Sequence, residues 1–239
     1  MGCLICGADA TVKSHIIPKA FAHDVRDGAT HVVAGSVTAK VARTSQGGFF
    51  SDTLLCSHHE GLTAATDKYA IEFVRRVSES WKDQSKRSAL SISNPQPELL
   101  RSFALLTIWR EAHGAPGTRL SLGPYENVIR RHLFDATVAP EWAIIVQRTN
   151  FVIENSGAAD FNLYPYRVRF ADRSGWMFTV AGVCFFVVVD GRGLPAKFEN
   201  WRADRHDPAM VTVSEPLPFT EVGALKGILA SLAARTKTR

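Results

Sequence analysis

The feature that most constrains the fold of this chain is a pair of short motifs with the spacing of zinc ligands. Cys3 and Cys6 are separated by two residues, and Cys56 and His59 repeat that spacing further along. A Cys-x-x-Cys turn presents two thiolates from one knuckle, and structural zinc takes four such donors in a tetrahedron. Gly7 follows the first pair, where a tight turn favours glycine. We therefore predict one structural zinc site, with the ligands Cys3, Cys6, Cys56 and His59.

Two points about this site stay open from the sequence. His58 is a rival for the fourth ligand position, although the two-residue spacing favours His59. In the alternative interpretation the motifs are unrelated surface thiols and a polar loop, yet three of the four cysteines fall in knuckle-like motifs. The remaining cysteine, Cys184, lies in an apolar run and is interpreted as a small buried hydrophobic side chain.

Composition bounds the class of protein. The chain has 239 residues, 46% of them hydrophobic, which suits one large domain or two modest ones. The formal net charge of +5 weakly favours an acidic partner such as nucleic acid. The N-terminus lacks signal-peptide regions, and the longest apolar stretch, 178–189, is too short to span a bilayer. We therefore expect a cytoplasmic protein without membrane contact, whose reduced cysteines serve metal binding or catalysis.

Hydrophobic periodicity predicts the order of the secondary structure. A Ser/Asn/Pro segment over 82–97 marks the candidate domain boundary. Helices are expected from about Glu60 to Trp81, from Pro97 to about Gly114, from Pro124 to Phe134 and over 220–235. Strands are expected at 10–13, 36–41, 142–146, 151–153, 164–170 and 176–189, the last two joined as a hairpin around 172–175.

The predicted fold class is α+β. A zinc-stabilised unit over residues 1–92 is followed by an α+β region over residues 93–239 that carries an antiparallel sheet. We expect the second region to be an accessory domain. Binding of a ligand, binding of a protein partner and formation of a homo-oligomer are open roles for it.

The residues between the two knuckles carry a second motif, Ser14-His15-Ile16-Ile17-Pro18. A knuckle, a strand ending in histidine, a loop and a second knuckle that opens a helix follow in that order. In this order the sequence resembles the HNH endonuclease family, in a branch where Ser-His-Ile-Ile-Pro replaces the commoner Asp-His-Ile-x-Pro. The specific likeness covers about the first third of the chain. The matching segments are 3–7, 14–18, 52–56, 59–60 and 67–70, with weaker likeness at 106–110 and 122–126.

The resemblance implies an HNH-like ββα unit and assigns roles by position. His15 aligns with the general base that activates water, beside a Mg²⁺ or Mn²⁺ ion that stabilises the scissile phosphate. Ser14 stands where the family has a metal-binding aspartate. Glu60 falls where the family often has a metal-binding histidine or an asparagine. Asp52 lies near the middle residue of the signature and either ligates the ion or orients His15.

Two functional hypotheses follow. The first is a metal-dependent endonuclease that hydrolyses DNA phosphodiester bonds with His15 as general base. The second is a zinc-binding module that binds nucleic acid or protein without turnover, because a serine hydroxyl is a poor magnesium ligand. Structural roles stay open for Asp52, as a turn residue, and for Glu60, as a carboxylate at a helix N-terminus. Six basic side chains on or after the helix expected from about Glu60 either contact phosphates or form a solvated helix face: Lys68, Arg75, Arg76, Lys82, Lys86 and Arg87.

Overall fold

The computed structural model describes residues 2–26, 32–37, 41–45, 47–83, 87–114, 120–135, 137, 140–153, 157–158, 160–215 and 217–218. The predicted helix over 220–235 and the middle of the predicted strand at 36–41 lie outside this part of the chain. Lys86 lies outside it as well. All structural statements below concern the described residues.

Four helices and thirteen strands are assigned within the described residues. The helices are α1 (Lys19–Asp24), α2 (Ser57–Asp83), α3 (Pro97–Gly114) and α4 (Glu126–Phe134). The first strands are β1 (Val12–His15), β2 (Val32–Ser36), β3 (Val41–Ser45), β4 (Phe50–Leu55) and β5 (Ala89–Ile92). The others are β6 (Ala143–Arg148), β7 (Phe151–Ile153), β8 (Gly157–Ala158), β9 (Asn162–Phe170), β10 (Arg173–Val180), β11 (Val183–Val188), β12 (Ala209–Val213) and β13 (Leu217–Pro218).

Strands β1 and β4 form a two-stranded antiparallel ribbon that leads directly into α2. Val12 lies opposite Leu55, Ser14 opposite Ser51 and His15 opposite Phe50. The end of α3 packs closely on this ribbon, because a Cβ added at Gly114 would lie 2.6 Å from Ile16 Cδ1. A larger residue there would require the tips of the Ile16 and Leu54 side chains to shift. Strand β1 carries Ser14 and His15, β4 carries Asp52, and α2 carries His59 and Glu60.

The main sheet has eight strands in the order β3-β2-β9-β10-β11-β6-β12-β5. Its central strands, β9 to β11 with β6, pair antiparallel, as the sequence predicts. The pairs β2 with β9 and β12 with β6 are parallel, so the sheet as a whole is mixed. A small sheet, β13-β7-β8, stands beside it. The combination of helices with these sheets confirms the α+β class.

Helix α3 is the central helix of the core. Its residues from Phe103 to Glu111 are all buried, which is the pattern of a helix covered on every side. One hydrophobic cluster joins α2, α3 and the sheet, and it includes Phe73, Phe103 and Trp176. Side chains from both sides of residue 92 belong to this cluster, and β5 pairs with β12. The domain boundary near residue 92 stays a prediction.

The long apolar run 176–189 is two strands, so its prediction as one strand was wrong. The chain reverses at Ala181 and Gly182, which have φ angles of 45° and 71°. Two successive positive φ angles are typical of a type I′ hairpin turn. The Asn162 side chain accepts a hydrogen bond from the Ala181 backbone N–H at 2.8 Å and supports the turn. The predicted hairpin between β9 and β10 is confirmed, with its turn at 171–172.

Candidate metal centre

The four residues with zinc-ligand spacing meet in the structure. The nearest donor atoms of Cys3, Cys6, Cys56 and His59 all lie within 4.8 Å of one another. Cys3 and Cys56 are buried, His59 is half-buried and Cys6 is exposed at the rim. Among the described residues this is the one group of three or more His, Cys, Asp or Glu side chains that can hold a metal ion.

The backbone around the first knuckle holds its thiols in place. The Gly7 N–H donates to the Cys3 carbonyl at 2.8 Å, and the Cys3 N–H donates to the Ala8 carbonyl at 2.7 Å. Gly7 has a φ angle of 75°, which glycine adopts at little cost. The Leu4 N–H donates to the Leu54 carbonyl at 2.9 Å, which ties the knuckle to β4.

The second knuckle is the start of α2. Cys56 immediately precedes the helix, and its carbonyl accepts the Glu60 N–H at 3.0 Å in the first helical turn. His59 lies in that turn, so the helix fixes its ring relative to Cys56. The ring is also packed edge-on against Phe134 of α4, with centroids 6.0 Å apart.

The separations of the donor atoms fit a tetrahedral ion. Zinc–sulfur bonds of about 2.3 Å and zinc–nitrogen bonds of about 2.0–2.1 Å place two sulfurs about 3.8 Å apart, and sulfur and nitrogen about 3.6 Å apart. The Cys6 and Cys56 sulfurs are 3.9 Å apart. His59 Nδ1 lies 3.6 Å from the Cys3 sulfur and 3.2 Å from the Cys56 sulfur. Three sulfurs and one imidazole nitrogen therefore converge on one point, and this donor set suits zinc.

The cluster also prepares one thiol for ionisation. Burial alone would raise the pKa of Cys3, but backbone hydrogen bonds from Cys6, Cys56 and Ile5 lower it to about 6. For Cys6 the backbone hydrogen bond from Ala8 lowers the pKa. Burial and the neighbouring thiols of Cys3 and Cys56 outweigh that contribution and raise the pKa above its ordinary value. One metal cation would relieve this competition, since zinc binds the thiolate form.

His58 does not join the metal cluster. Its side chain is exposed, and its ring stands edge-on to the His59 ring at 5.1 Å. The helical position of His59 turns its Nδ1 towards the sulfurs, whereas His58 lies outside the group of converging donors. Between the two histidines, the geometry favours His59.

A network of ion pairs and hydrogen bonds lies directly beside the metal cluster. The hydroxyl of Ser14, which is fully buried, donates to Glu60 Oε2 at 2.7 Å. The Arg110 guanidinium is also fully buried and donates to Glu60 Oε1 at 3.2 Å. It further donates to both carboxylate oxygens of Asp67, at 3.1 and 2.9 Å, and to the Thr63 hydroxyl at 2.9 Å. Ser14 and Glu60, both predicted site residues, are thus in direct contact.

Asp67 and Arg110 were not predicted as members of the site. Burial raises the pKa of Asp67, although the Arg110 guanidinium opposes that shift. Arg110 follows a mostly apolar run, Ala104 to Trp109, in a helix that is buried over this stretch. A lone cation in such a run signals a buried acidic partner, because an unpaired buried charge is very costly. That signal is present in the sequence, but the partner's position is not.

His15 lies at the end of β1, one residue after Ser14. It is half-buried, and its ring is 5.7 Å from the ring of Phe50 on the paired strand. Burial is the largest cause that lowers the pKa of His15, followed by the positive charges of Arg110 and Lys19. The neutral imidazole is therefore the form present near pH 7, and a neutral ring nitrogen can accept a proton.

Asp52 is separated from this network. Its side chain is exposed on β4, and the described residues show no hydrogen bond between its carboxylate and His15. The Asp52 backbone carbonyl accepts a hydrogen bond from the Thr11 hydroxyl, which links the two strands. Its role in the site stays a prediction.

The predicted basic group is divided between contacts and solvent. Arg75 forms an ion pair with Asp24 at 3.0 Å, and Arg76 donates to the Ser93 carbonyl at 2.9 Å. Lys68 and Lys82 are exposed on α2. These contacts do not distinguish a phosphate-binding face from a solvated one.

Comparisons with protein-family models, curated proteins and solved structures find no match to this chain. Within the described residues, no helix combines the length and the apolar character needed to cross a membrane. The functional argument therefore rests on the geometry of the site.

Proposed function

We propose that this chain is a metal-dependent endonuclease of the HNH type, in which a zinc ion at Cys3, Cys6, Cys56 and His59 holds the fold and His15 is the general base for hydrolysis of DNA phosphodiester bonds. The observation that carries the proposal is the position of His15. It is a half-buried imidazole, whose pKa burial lowers, at the end of a strand that the Ser14–Glu60 hydrogen bond ties to α2.

In the proposed reaction, a ring nitrogen of His15 removes a proton from a water molecule. The water oxygen forms a bond to phosphorus as the bond from phosphorus to the leaving oxygen breaks, and solvent returns a proton to that oxygen. Neutral His15 suits the first step, because a general base must be unprotonated to accept a proton, and general bases work best with a pKa near the working pH. A bound Mg²⁺ or Mn²⁺ would supply charge stabilisation for the phosphate and the leaving oxygen.

The residues beside His15 offer limited ligands for that second ion. Magnesium often keeps several waters and binds through one or two carboxylates. Glu60 provides one carboxylate, and each of its oxygens retains a lone pair after accepting from Ser14 or Arg110. Glu60, with the Ser14 hydroxyl beside it, would therefore hold the ion. This donor set is weaker than that of a site with two carboxylates.

The same contacts favour a second candidate function, a zinc-binding module without turnover. Both oxygens of Glu60 are engaged, and Arg110, which Glu60 shares with Asp67, offsets part of its charge. In such a module the network would only stabilise the ribbon on α2. The module predicts stoichiometric zinc and binding to nucleic acid or protein, with no metal-dependent cleavage.

Plasmid nicking by the full chain separates the two functions. Wild type is assayed with Mg²⁺, with Mn²⁺ and with EDTA, and zinc content is measured in each sample. His15→Ala should keep its zinc and lose about 10²- to 10⁴-fold in rate. His206→Ala is the matched control, because His206 contacts the Glu199 carbonyl outside the site. Equal cleavage by wild type and His15→Ala would exclude the role proposed for His15.

A further inference from the structure

An exposed aromatic ring lies next to the proposed base. Phe50 is 44% exposed and faces His15 across the ribbon, with ring centroids 5.7 Å apart. Four large hydrophobic side chains are exposed among the described residues, and Phe50 is the aromatic one: Leu4, Phe50, Leu62 and Val128. A single exposed apolar side chain is ordinary on a protein surface. Its place beside His15 is what requires an explanation.

One lysine contacts this ring, and a second lies four residues after His15 along the chain. Lys13 precedes His15 by two residues on β1, so both side chains lie on one face of the strand. Its ammonium lies 4.7 Å from the centre of the Phe50 ring. The side chain of Lys19 is packed over Gly47, where an added Cβ would lie 3.1 Å from Lys19 Cε. The positive charges of Lys19 and Lys13 both lower the pKa of His15.

An exposed ring with a cation over it, and a second cation near His15 in the sequence, match the chemistry of an unpaired nucleotide. Single-stranded nucleic acid is bound by aromatic side chains that stack on bases and by cations along the backbone. In a duplex the faces of the bases are covered by their neighbours, so a ring on the outside of a ribbon cannot stack on them. The exposed Lys13 side chain can move aside, because an exposed cation–π contact is weaker than base stacking.

We propose that Phe50 stacks on one unpaired base while Lys13 and Lys19 contact the flanking phosphates, so that the site takes single-stranded rather than duplex nucleic acid. This inference rests on the function proposed for His15. Asp52, exposed on β4 with Phe50, offsets one of the two lysine charges, so these side chains keep an excess of positive charge. DNA and RNA share the required chemistry, and the test includes both.

The test measures binding in the full-length, zinc-loaded His15→Ala protein, which removes cleavage from the measurement. Fluorescence anisotropy is recorded with a labelled single-stranded DNA, the same sequence as RNA, and its DNA duplex. Phe50→Leu should weaken single-strand binding about tenfold, and Phe50→Tyr should restore it, because stacking needs the ring. Lys13→Gln should reduce the slope of log affinity against log salt by about 0.7.

Controls separate binding from folding. Val128→Ala removes an exposed apolar side chain on α4 and should leave the affinity unchanged. Zinc content and thermal unfolding of Phe50→Leu should match those of the parent. The inference is overturned if the parent prefers the duplex or binds no strand. It is also overturned if Phe50→Leu, with its fold intact, binds as the parent does.

The two proposals fail in different ways. If nicking depends on His15 but binding does not depend on Phe50, the stacking site is excluded and the endonuclease proposal stands. If binding depends on Phe50 but cleavage does not depend on His15, the endonuclease proposal is excluded and the stacking site remains as part of a binding module.

Discussion

Consecutive residues at the start of α2 belong to two different sites. His59 faces the three thiols of the metal cluster, and Glu60 faces Ser14 and Arg110. The metal cluster contains no cationic side chain of its own, and its donors can hold a metal ion. The ion-pair network already contains its cation, the buried guanidinium of Arg110. These two neighbouring residues therefore belong to sites of different kinds: a group of donors that can hold a metal ion, and a set of paired side chains.

The largest expected effect is on the metal cluster. Cys56→Ser removes a buried ligand, and structural zinc contributes roughly 10–16 kcal/mol of apparent binding free energy in small zinc domains. We expect zinc to fall from one per chain to none, with loss of a cooperative thermal transition in the N-terminal part. Metal analysis and circular dichroism measure both. Cys184→Ala should keep the zinc, and full zinc retention by Cys56→Ser would contradict the ligand set.

The second largest effect is expected from a substitution of Arg110, which should disrupt the ion-pair network and leave the metal cluster intact. Arg110→Gln leaves Asp67 and Glu60 without their buried partner, and breaking a buried pair costs about 3–5 kcal/mol. Urea unfolding should show this loss while the zinc content stays at one per chain. Arg75→Gln is the control, because the exposed Arg75–Asp24 pair should contribute less than about 1 kcal/mol. Equal losses in the two variants would mean that the Arg110 network adds little.

A smaller effect is expected from a substitution of Ser14, and it tests whether the ion-pair network and the metal cluster are independent. Ser14→Ala removes one hydrogen bond to a charged group and should cost about 2 kcal/mol in urea unfolding. The zinc content should not change, since Ser14 does not contact the metal cluster. Loss of zinc on this substitution would show that the two sites depend on each other.

The smallest effect is the pH dependence contributed by His15. Its pKa in the folded chain lies below 6.5, chiefly because of burial and then because of Arg110 and Lys19. The unfolded chain therefore takes up a proton first as the pH falls. The contribution of His15 to the free energy of unfolding is constant above pH 6.5. As the pH falls from there through the folded pKa, this contribution declines by at most about 1.4 kcal/mol per pH unit. Urea unfolding across pH should show a flatter decline for His15→Gln, and an unchanged decline would contradict this.

The difference between the metal cluster and the Arg110 network also explains which site residues the sequence could predict. The four residues of the metal cluster could be identified because each pair is set by local spacing, and a turn or a helix start converts that spacing into geometry. The Arg110 network could not, because Ser14, Glu60 and Arg110 come from a strand and two helices whose packing is tertiary. The sequence marks Arg110 as an unusual cation in an apolar helix, but it does not show which carboxylates pair with it.

The secondary structure shows the same division between features that local sequence determines and features that depend on tertiary contacts. Helix α3 was predicted from Pro97 to about Gly114 and has those bounds, because its ends carry local signals. The turn at Ala181 and Gly182 was missed, because alanine rarely adopts a positive φ and nothing local marks the support from Asn162. Strand β5 was missed within a Ser-rich segment, since its stability comes from pairing with β12.

The X-ray absorption spectrum of the metal in the purified chain tests the central claim most directly. The account predicts one zinc per chain with three sulfurs at about 2.3 Å and one nitrogen at about 2.0–2.1 Å. His59→Cys should change the shell to four sulfurs, whereas His58→Cys should leave it unchanged. A shell of oxygen and nitrogen alone, or a purified chain that binds no stoichiometric metal, would contradict the account.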